Sequence, residues 1–199
     1  MSKLETNTID TVSGTNTLQV GDGNVATINL GKSGDTINIP SGATITNSGT
    51  ANGFGGDNTP AFAAYQSSGQ NIDSGTTTLV NLQTEIFDTA NAFTNNAFTV
   101  PSGEGGKYYV SACIRADASW AATGQFNVMV FLGGTADNGL FASYNIAASN
   151  GNGGAVSGIL PLSAGDEISM RIFHNEGGTE GLQSGRYCTV FSGYKLIGI

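Results

Sequence analysis

Few side chains in this 199-residue chain could do chemistry on their own, so their spacing decides what they could do. The sole histidine, His174, follows the apolar run Ile168 to Phe173 and precedes Asn175 and Glu176, which reads as a solvated strand end rather than a catalytic base. Cys113 and Cys188 lie far apart in apolar, strand-like runs. That is neither a metal spacing nor a dense disulfide framework, and two buried, reduced thiols are expected in preference to a bridge. No Gly-x-Ser-x-Gly, His-Glu-x-x-His or Gly-x-x-x-x-Gly-Lys-Ser/Thr pattern occurs, so hydrolase, zinc-protease and phosphate-loop chemistries lack their minimum parts. Gly21-Asp22-Gly23-Asn24 and Gly34-Asp35 set carboxylates beside glycines, as calcium turns do. They do not keep the nine-residue glycine-aspartate register, and they read as plain turns. The chain is therefore expected to have no catalytic residues, no metal ligands and no cofactor. Trp120, the only tryptophan, sits between Asp117 and Gly124. It is either a core filler or an exposed aromatic platform for a sugar ring, and in the second case a candidate receptor contact.

Composition narrows the partners. Charged residues make up 11% of the chain, against about 25% in an average soluble domain. The net charge is −8 with seven Lys and Arg, and no basic run occurs. The footprint needed to neutralise a phosphate backbone is missing, so neither nucleic acid nor an anionic membrane is an expected partner. Met1-Ser2-Lys3-Leu4-Glu5 begins no apolar segment, and no stretch approaches the length of a membrane span. Synthesis in a cytoplasm, without membrane insertion, is the expectation.

The elements that must position any site fall into two regions, residues 1–56 and 57–199. In the first, short alternating segments such as Thr17 to Val20, Val25 to Leu30 and Thr36 to Pro40 are separated by Gly, Asn, Asp and Ser. An apolar residue at every second position marks a one-sided strand, and the glycines supply the positive φ of tight turns. Each strand offers two or three aliphatic side chains. At about 25 cal/mol per Å² buried, and about 1–2 kcal/mol of backbone entropy per ordered residue, roughly fifty such residues do not stabilise themselves. Copies sharing an axis, in a β-prism or triangular stem, solve this; a leader that orders only on docking is the alternative. Thr46 to Asp57 reads as a linker. From Pro60 onward the candidate strands are Ala61 to Tyr65, Leu79 to Phe87, Ala97 to Val100, Lys107 to Arg115, Gln125 to Leu132, Gly139 to Ile146, Ala155 to Leu162, Glu167 to His174 and Tyr187 to Ile197. Such short runs between turn signals predict two packed antiparallel sheets. Only Val80 to Phe93 is ambiguous with a helix.

Several passages of the second region, in order, carry a family resemblance. They are Pro60-Ala61-Phe62-Ala63-Ala64-Tyr65, Ile86-Phe87-Asp88, Asn95-Asn96-Ala97-Phe98-Thr99-Val100-Pro101, Gly106-Lys107-Tyr108-Tyr109-Val110-Ser111, Leu160-Pro161-Leu162 with Gly165-Asp166-Glu167-Ile168, and Val190-Phe191-Ser192-Gly193-Tyr194-Lys195-Leu196. Together they resemble the globular head of complement subcomponent q, which shares a trimeric jelly roll with the tumour-necrosis-factor superfamily. The collagen period that would precede such a head is absent. In its place, Ile28 to Ile45 followed by Gly49 to Gly55 resembles a repeat found before the head in fibre proteins of marine bacteriophages. The residues also have their own reading. Tyr108 and Tyr109 anchor opposite faces of one strand, Gly165-Asp166 is a turn between Leu160, Leu162 and Ile168, Met170, and Gly193 allows close backbone approach.

The resemblance implies an all-β homotrimer, a stem at 1–56 and an antiparallel jelly-roll β-sandwich at 57–199, with Tyr109, Phe191 and Tyr194 as candidate aromatics at the trimer interface. It implies a virion protein, either a fibre or spike whose head touches a host glycan or outer-membrane protein, or a capsid decoration or head fibre docked through its N-terminal segment to other virion proteins. A secreted ligand-like trimer would need an export route that this N-terminus does not show. Complement heads can hold calcium near the trimer axis, which makes Asp117, Asp137 and Asp166, all in turns, the residues to follow.

Overall fold

The computed structural model describes Val20 and residues 27–46, 58–117, 120, 124–146 and 152–197, the side chains of Ala136 and Asp137 excepted. The segment Thr17 to Gln19, the Gly21 to Asn24 turn and most of the linker, Phe54 included, lie outside the described residues. By contacts the chain divides into Met1–Ala51 and Asn52–Ile199.

Within the first unit, two hydrogen-bonded turns are formed. The Asp35 amide donates to the Lys32 carbonyl at 3.0 Å, and the Lys32 amide donates back to Asp35 Oδ2 at 3.0 Å. The Ala43 amide donates to the Pro40 carbonyl at 3.1 Å. Gly34 and Gly42 hold φ of 92° and 85°, the left-handed region in which a side chain is strained. The expected turns are present, but residues 27–46 pair in no strand and every one of them is exposed.

The second unit is built from β1 (Ala61–Tyr65), β2 (Gln70–Asp73), β3 (Thr78–Leu79), β4 (Thr84–Asp88), β5 (Phe93–Thr94), β6 (Ala97–Thr99), β7 (Gly106–Arg115), β8 (Gln125–Leu132), β9 (Thr135–Asn145), β10 (Gly153–Leu162), β11 (Glu167–His174), β12 (Thr179–Leu182) and β13 (Val190–Lys195). One sheet runs β10-β7-β13-β1-β4 and a second β5-β6-β11-β8-β9, with β3 also on β11. All their pairings are antiparallel. β2 and β12 form a separate two-stranded ribbon. Val80 to Phe93 is not helical. It carries irregular backbone and β4, with Val80 held by its amide on the Met170 carbonyl.

The two sheets enclose one core. On β7, Tyr108, Val110, Ala112 and Ile114 point inward and are fully buried, as are Ile168, Met170 and Ile172 on β11. Aromatic rings fill the centre: Phe62 stacks on Phe98 at 4.5 Å and on Phe93 at 5.4 Å, and meets the Phe191 ring edge-on at 5.0 Å. Gly193 leaves room for Phe62, since a Cβ there would stand 2.9 Å from Phe62 Cε1 and 3.1 Å from the Tyr109 carbonyl. The turn at Gly165-Asp166 closes through the Asp166 amide on the Ser163 carbonyl. It does not make a hairpin, because β10 and β11 belong to different sheets. Leu160 and Leu162 instead share the core with Ile168 and Met170 from the opposite sheet. At the open side, the Tyr144 hydroxyl donates to the Ala155 carbonyl and accepts from the Ala155 amide, which ties edge strand β9 to edge strand β10.

Candidate functional site

Period-two alternation gives the first sheet an outer face as well as a core face. Strand register lines up its outward residues in rows. Ala61, Tyr194, Tyr109 and Ile159 form one row; Phe87, Ala63, Ser192, Ser111 and Ser157 the next; Tyr65, Val190, Cys113 and Ala155 a third. None of these residues carries a charge. The outward cations of β7, Lys107 and Arg115, stand only at the strand's two ends. Ile159 is 55% and Phe87 48% exposed. The Tyr109 and Tyr194 rings lie 5.5 Å apart on this face, each half-buried by its neighbours. A flat, uncharged patch with large apolar side chains at its margins is suited to burial against protein, not to chemistry on a small molecule.

Two of the sequence-predicted interface residues therefore stand together on the outer face. The third, Phe191, does not: it is fully buried in the aromatic core. In a regular strand, residues three apart point to opposite faces, so Phe191 and Tyr194 do not share one. The pairing of Tyr194 with Tyr109 puts Tyr194 outside.

Trp120 is the core filler. It is 5% exposed, its Nε1 donates to the Gly181 carbonyl at 2.7 Å, and its ring packs against Phe126 at 5.6 Å and His174 at 5.0 Å. It presents no platform for a sugar. His174 is not solvated either: it is fully buried, with Nε2 2.9 Å from the Ile72 carbonyl and Nδ1 accepting weakly from the Glu176 amide at 3.4 Å. Its cover includes Ile72 of β2 and the Trp120 ring, and β2 is a short strand with too few apolar residues to be read as such from sequence.

The thiols also differ from expectation. Both are free, but Cys113 is exposed on the outer face and Cys188 half-buried, with the Cys113 thiol 3.7 Å from the Cys188 carbonyl. Desolvation, and then the neighbouring Cys188 thiol, push the Cys113 pKa up. Burial, and then the Glu104 carboxylate, push Tyr108 up to about 12. The Tyr108 hydroxyl donates to the Glu104 carbonyl at 2.7 Å.

The aspartates implied as calcium ligands are not brought together. Asp117 follows the end of β7, while Asp166 lies in the turn after β10, whose last residue pairs with the first of β7. They stand about 30 Å apart along that strand. Asp166 also spends Oδ2 on the Ser163 amide at 2.8 Å. The side chain of Asp137 lies outside the described residues. Among the described residues no group of three His, Cys, Asp or Glu is arranged to hold a metal ion.

No protein-family model matches the chain, and no curated protein does so by sequence. Solved structures do match. Murine APRIL covers 68% of this chain and 98% of its own at 15% identity and a TM-score of 0.53. The Eiger TNF of S. frugiperda covers 70% and 93% at 13% identity and 0.51. The globular domain of zebrafish complement 1qA covers 69% and 96% at 18% identity and 0.47. The second unit has a jelly-roll fold like that of the APRIL and Eiger structures. At such identities the likeness is one of fold. Among the described residues no helix is long and apolar enough to cross a membrane.

Proposed function

We propose that the chain is a non-enzymatic, homotrimeric structural protein of a bacteriophage virion, a fibre or spike whose head engages a host-surface receptor. The observation that carries the reading is unburied apolar surface in both units. In the first, Ile28, Leu30, Ile37, Ile39 and Ile45 are 46–66% exposed. In the second, the outer face of the β10-β7-β13-β1-β4 sheet presents its uncharged rows. Three copies closing around an axis would bury both kinds of surface and give the alternating segments of the first unit edges to pair with. Assignment to a virion is supported by the resemblance of Ile28 to Ile45 and Gly49 to Gly55 to phage fibre repeats.

Native mass measurement of the full chain tests the assembly. A trimer at micromolar concentration is the expected result, and a well-folded monomer would defeat the reading. Immunogold labelling of intact particles tests the place. Label at tail tips fits a fibre or spike, whereas regular label over the capsid points to an architectural, shell-attached role.

A further inference from the structure

The outer face of the second sheet differs from that of the first, and its differences are those of a ligand site. Register places Arg171 of β11 beside Met129 of β8 and, beyond it, Phe141 of β9; the next outward row is Phe173, Asn127 and Ser143. Phe131 lies on the same face, with the Arg171 guanidinium 5.0 Å over its ring. Phe141 is 59% exposed.

Two polar groups on this face lack partners. Arg171 Nε and Asn127 Oδ1 are both withdrawn from solvent and make no hydrogen bond in the structure. Leaving such a group without a hydrogen bond is destabilising, and these atoms are an unmet donor and an unmet acceptor. Because Arg171 pairs with Met129 and Phe173 with Asn127, the two side chains are diagonal neighbours, about 7 Å apart at Cβ. Both residues are only half-buried, so a molecule lying on the face can reach them. Among the described residues the guanidinium meets no carboxylate, and the next outward acid on β11, Glu167, is two alternations further along the strand.

We propose that this face binds an acidic saccharide, a sugar ring bearing a carboxylate. This rests on the reading of the head as receptor-binding and names the site and ligand class. The carboxylate pairs with Arg171, which is the cation available on the face. The Asn127 amide and Ser143 hydroxyl take up ring hydroxyls, and the C–H face of the ring lies on Phe141.

Calorimetry on the full-length protein, with trigalacturonate against neutral galactotriose and sialyllactose against lactose, tests the site. The acidic member of a pair should bind about tenfold or more tightly. Arg171→Gln should remove that preference, Arg171→Lys should keep part of it, and Phe141→Ser should weaken all binding, each without change in native mass. Equal affinity within both pairs, no binding of either acidic probe, an unaffected Arg171→Gln protein, or loss of assembly in that variant would overturn the proposal. Competition against particle adsorption separates the site from the wider reading. Wild-type protein that blocks adsorption while Arg171→Gln does not supports both. Equal blocking by the two overturns the site and leaves the receptor role standing. If neither blocks while calorimetry still shows the acidic preference, the site stands and the receptor role falls.

Discussion

Residues 27–46 and strand β7 use the same pattern to opposite effect. Ile37-Asn38-Ile39 alternates as cleanly as Tyr108, Val110, Ala112 and Ile114 do with their outward neighbours. Yet β7 has β10 on one side and β13 on the other, and its four inward residues are fully buried. Residues 27–46 pair with no strand among the described residues, and Ile37 is 58% exposed. Alternation chooses which face a strand would bury; a partner edge decides whether there is a strand at all. The turns need no such partner, because their hydrogen bonds are local, and so they form in both regions.

The sharpest way to break this comparison is to delete apolar bulk in each region. Phe191→Ala empties space against Phe62 and Phe93, and by analogy with other buried phenylalanines should cost about 3–5 kcal/mol of head stability. Ile37→Ala should leave the head's unfolding transition where it is and instead lower the concentration stability of the trimer. Denaturant unfolding monitored by aromatic fluorescence, run at several protein concentrations, separates the two. If Ile37→Ala lowers the head transition as Phe191→Ala does, the regions are not independent and the contrast fails.

Next in size is the outer face itself. Tyr109→Arg with Tyr194→Arg puts two like charges side by side in uncharged rows, at positions whose rings lie 5.5 Å apart. The native mass should drop from three chains to one while the circular dichroism of the sandwich stays unchanged. A trimer that survives this pair would place the shared surface elsewhere.

What the sequence revealed followed the same division. β1, β8 and β11 were legible to the residue: β8 and β11 carry large apolar residues at alternate positions, and β1 is a short apolar run after Pro60. β2 and β12 were not, since Gln-Asn-Ile-Asp and Thr-Glu-Gly-Leu offer no apolar alternation, and with them the burial of His174 was missed. Trp120 left both readings open because only its contact with Gly181, distant in sequence, decides between them. Phe191 was misplaced although a signal existed: its odd separation from Tyr194 forbids a shared face. Arg171 and Asn127 were invisible as a pair, because what joins them is the register of β11 on β8.

A smaller effect distinguishes inside from outside within one strand. Tyr108 and Tyr109 are neighbours in sequence on opposite faces of β7, and burial of Tyr108 pushes it up to about 12. The folded state holds that phenol proton more tightly than the unfolded chain, whose tyrosines titrate near 10. Tyr108 therefore contributes stability that is complete below pH ~10 and is lost as pH rises toward 12. Tyr108→Phe should flatten this alkaline loss, measured as the denaturation midpoint against pH, whereas Tyr109→Phe should leave it unchanged. An identical alkaline slope in wild type and Tyr108→Phe would remove Tyr108 as its source.

The smallest predicted effect is a labelling rate, and it reports directly on whether the outer face is covered. Cys113 stands in the row of Tyr65, Val190 and Ala155, exposed in the single chain. Its raised pKa, from desolvation and then from Cys188, leaves little thiolate near neutral pH, so alkylation should be slow in any state and should quicken as pH rises. Assembly adds a second, independent barrier, because a face buried between copies is closed to the reagent whatever its protonation. Maleimide labelling of Cys113 in a Cys188→Ser background should thus be slower in the intact protein than in the Tyr109→Arg, Tyr194→Arg double variant at every pH. The ratio between the two should hold as both rates rise. Equal rates would mean that the face carrying Cys113 stays open in the assembled protein, and the comparison between a covered first sheet and an open second one would no longer stand.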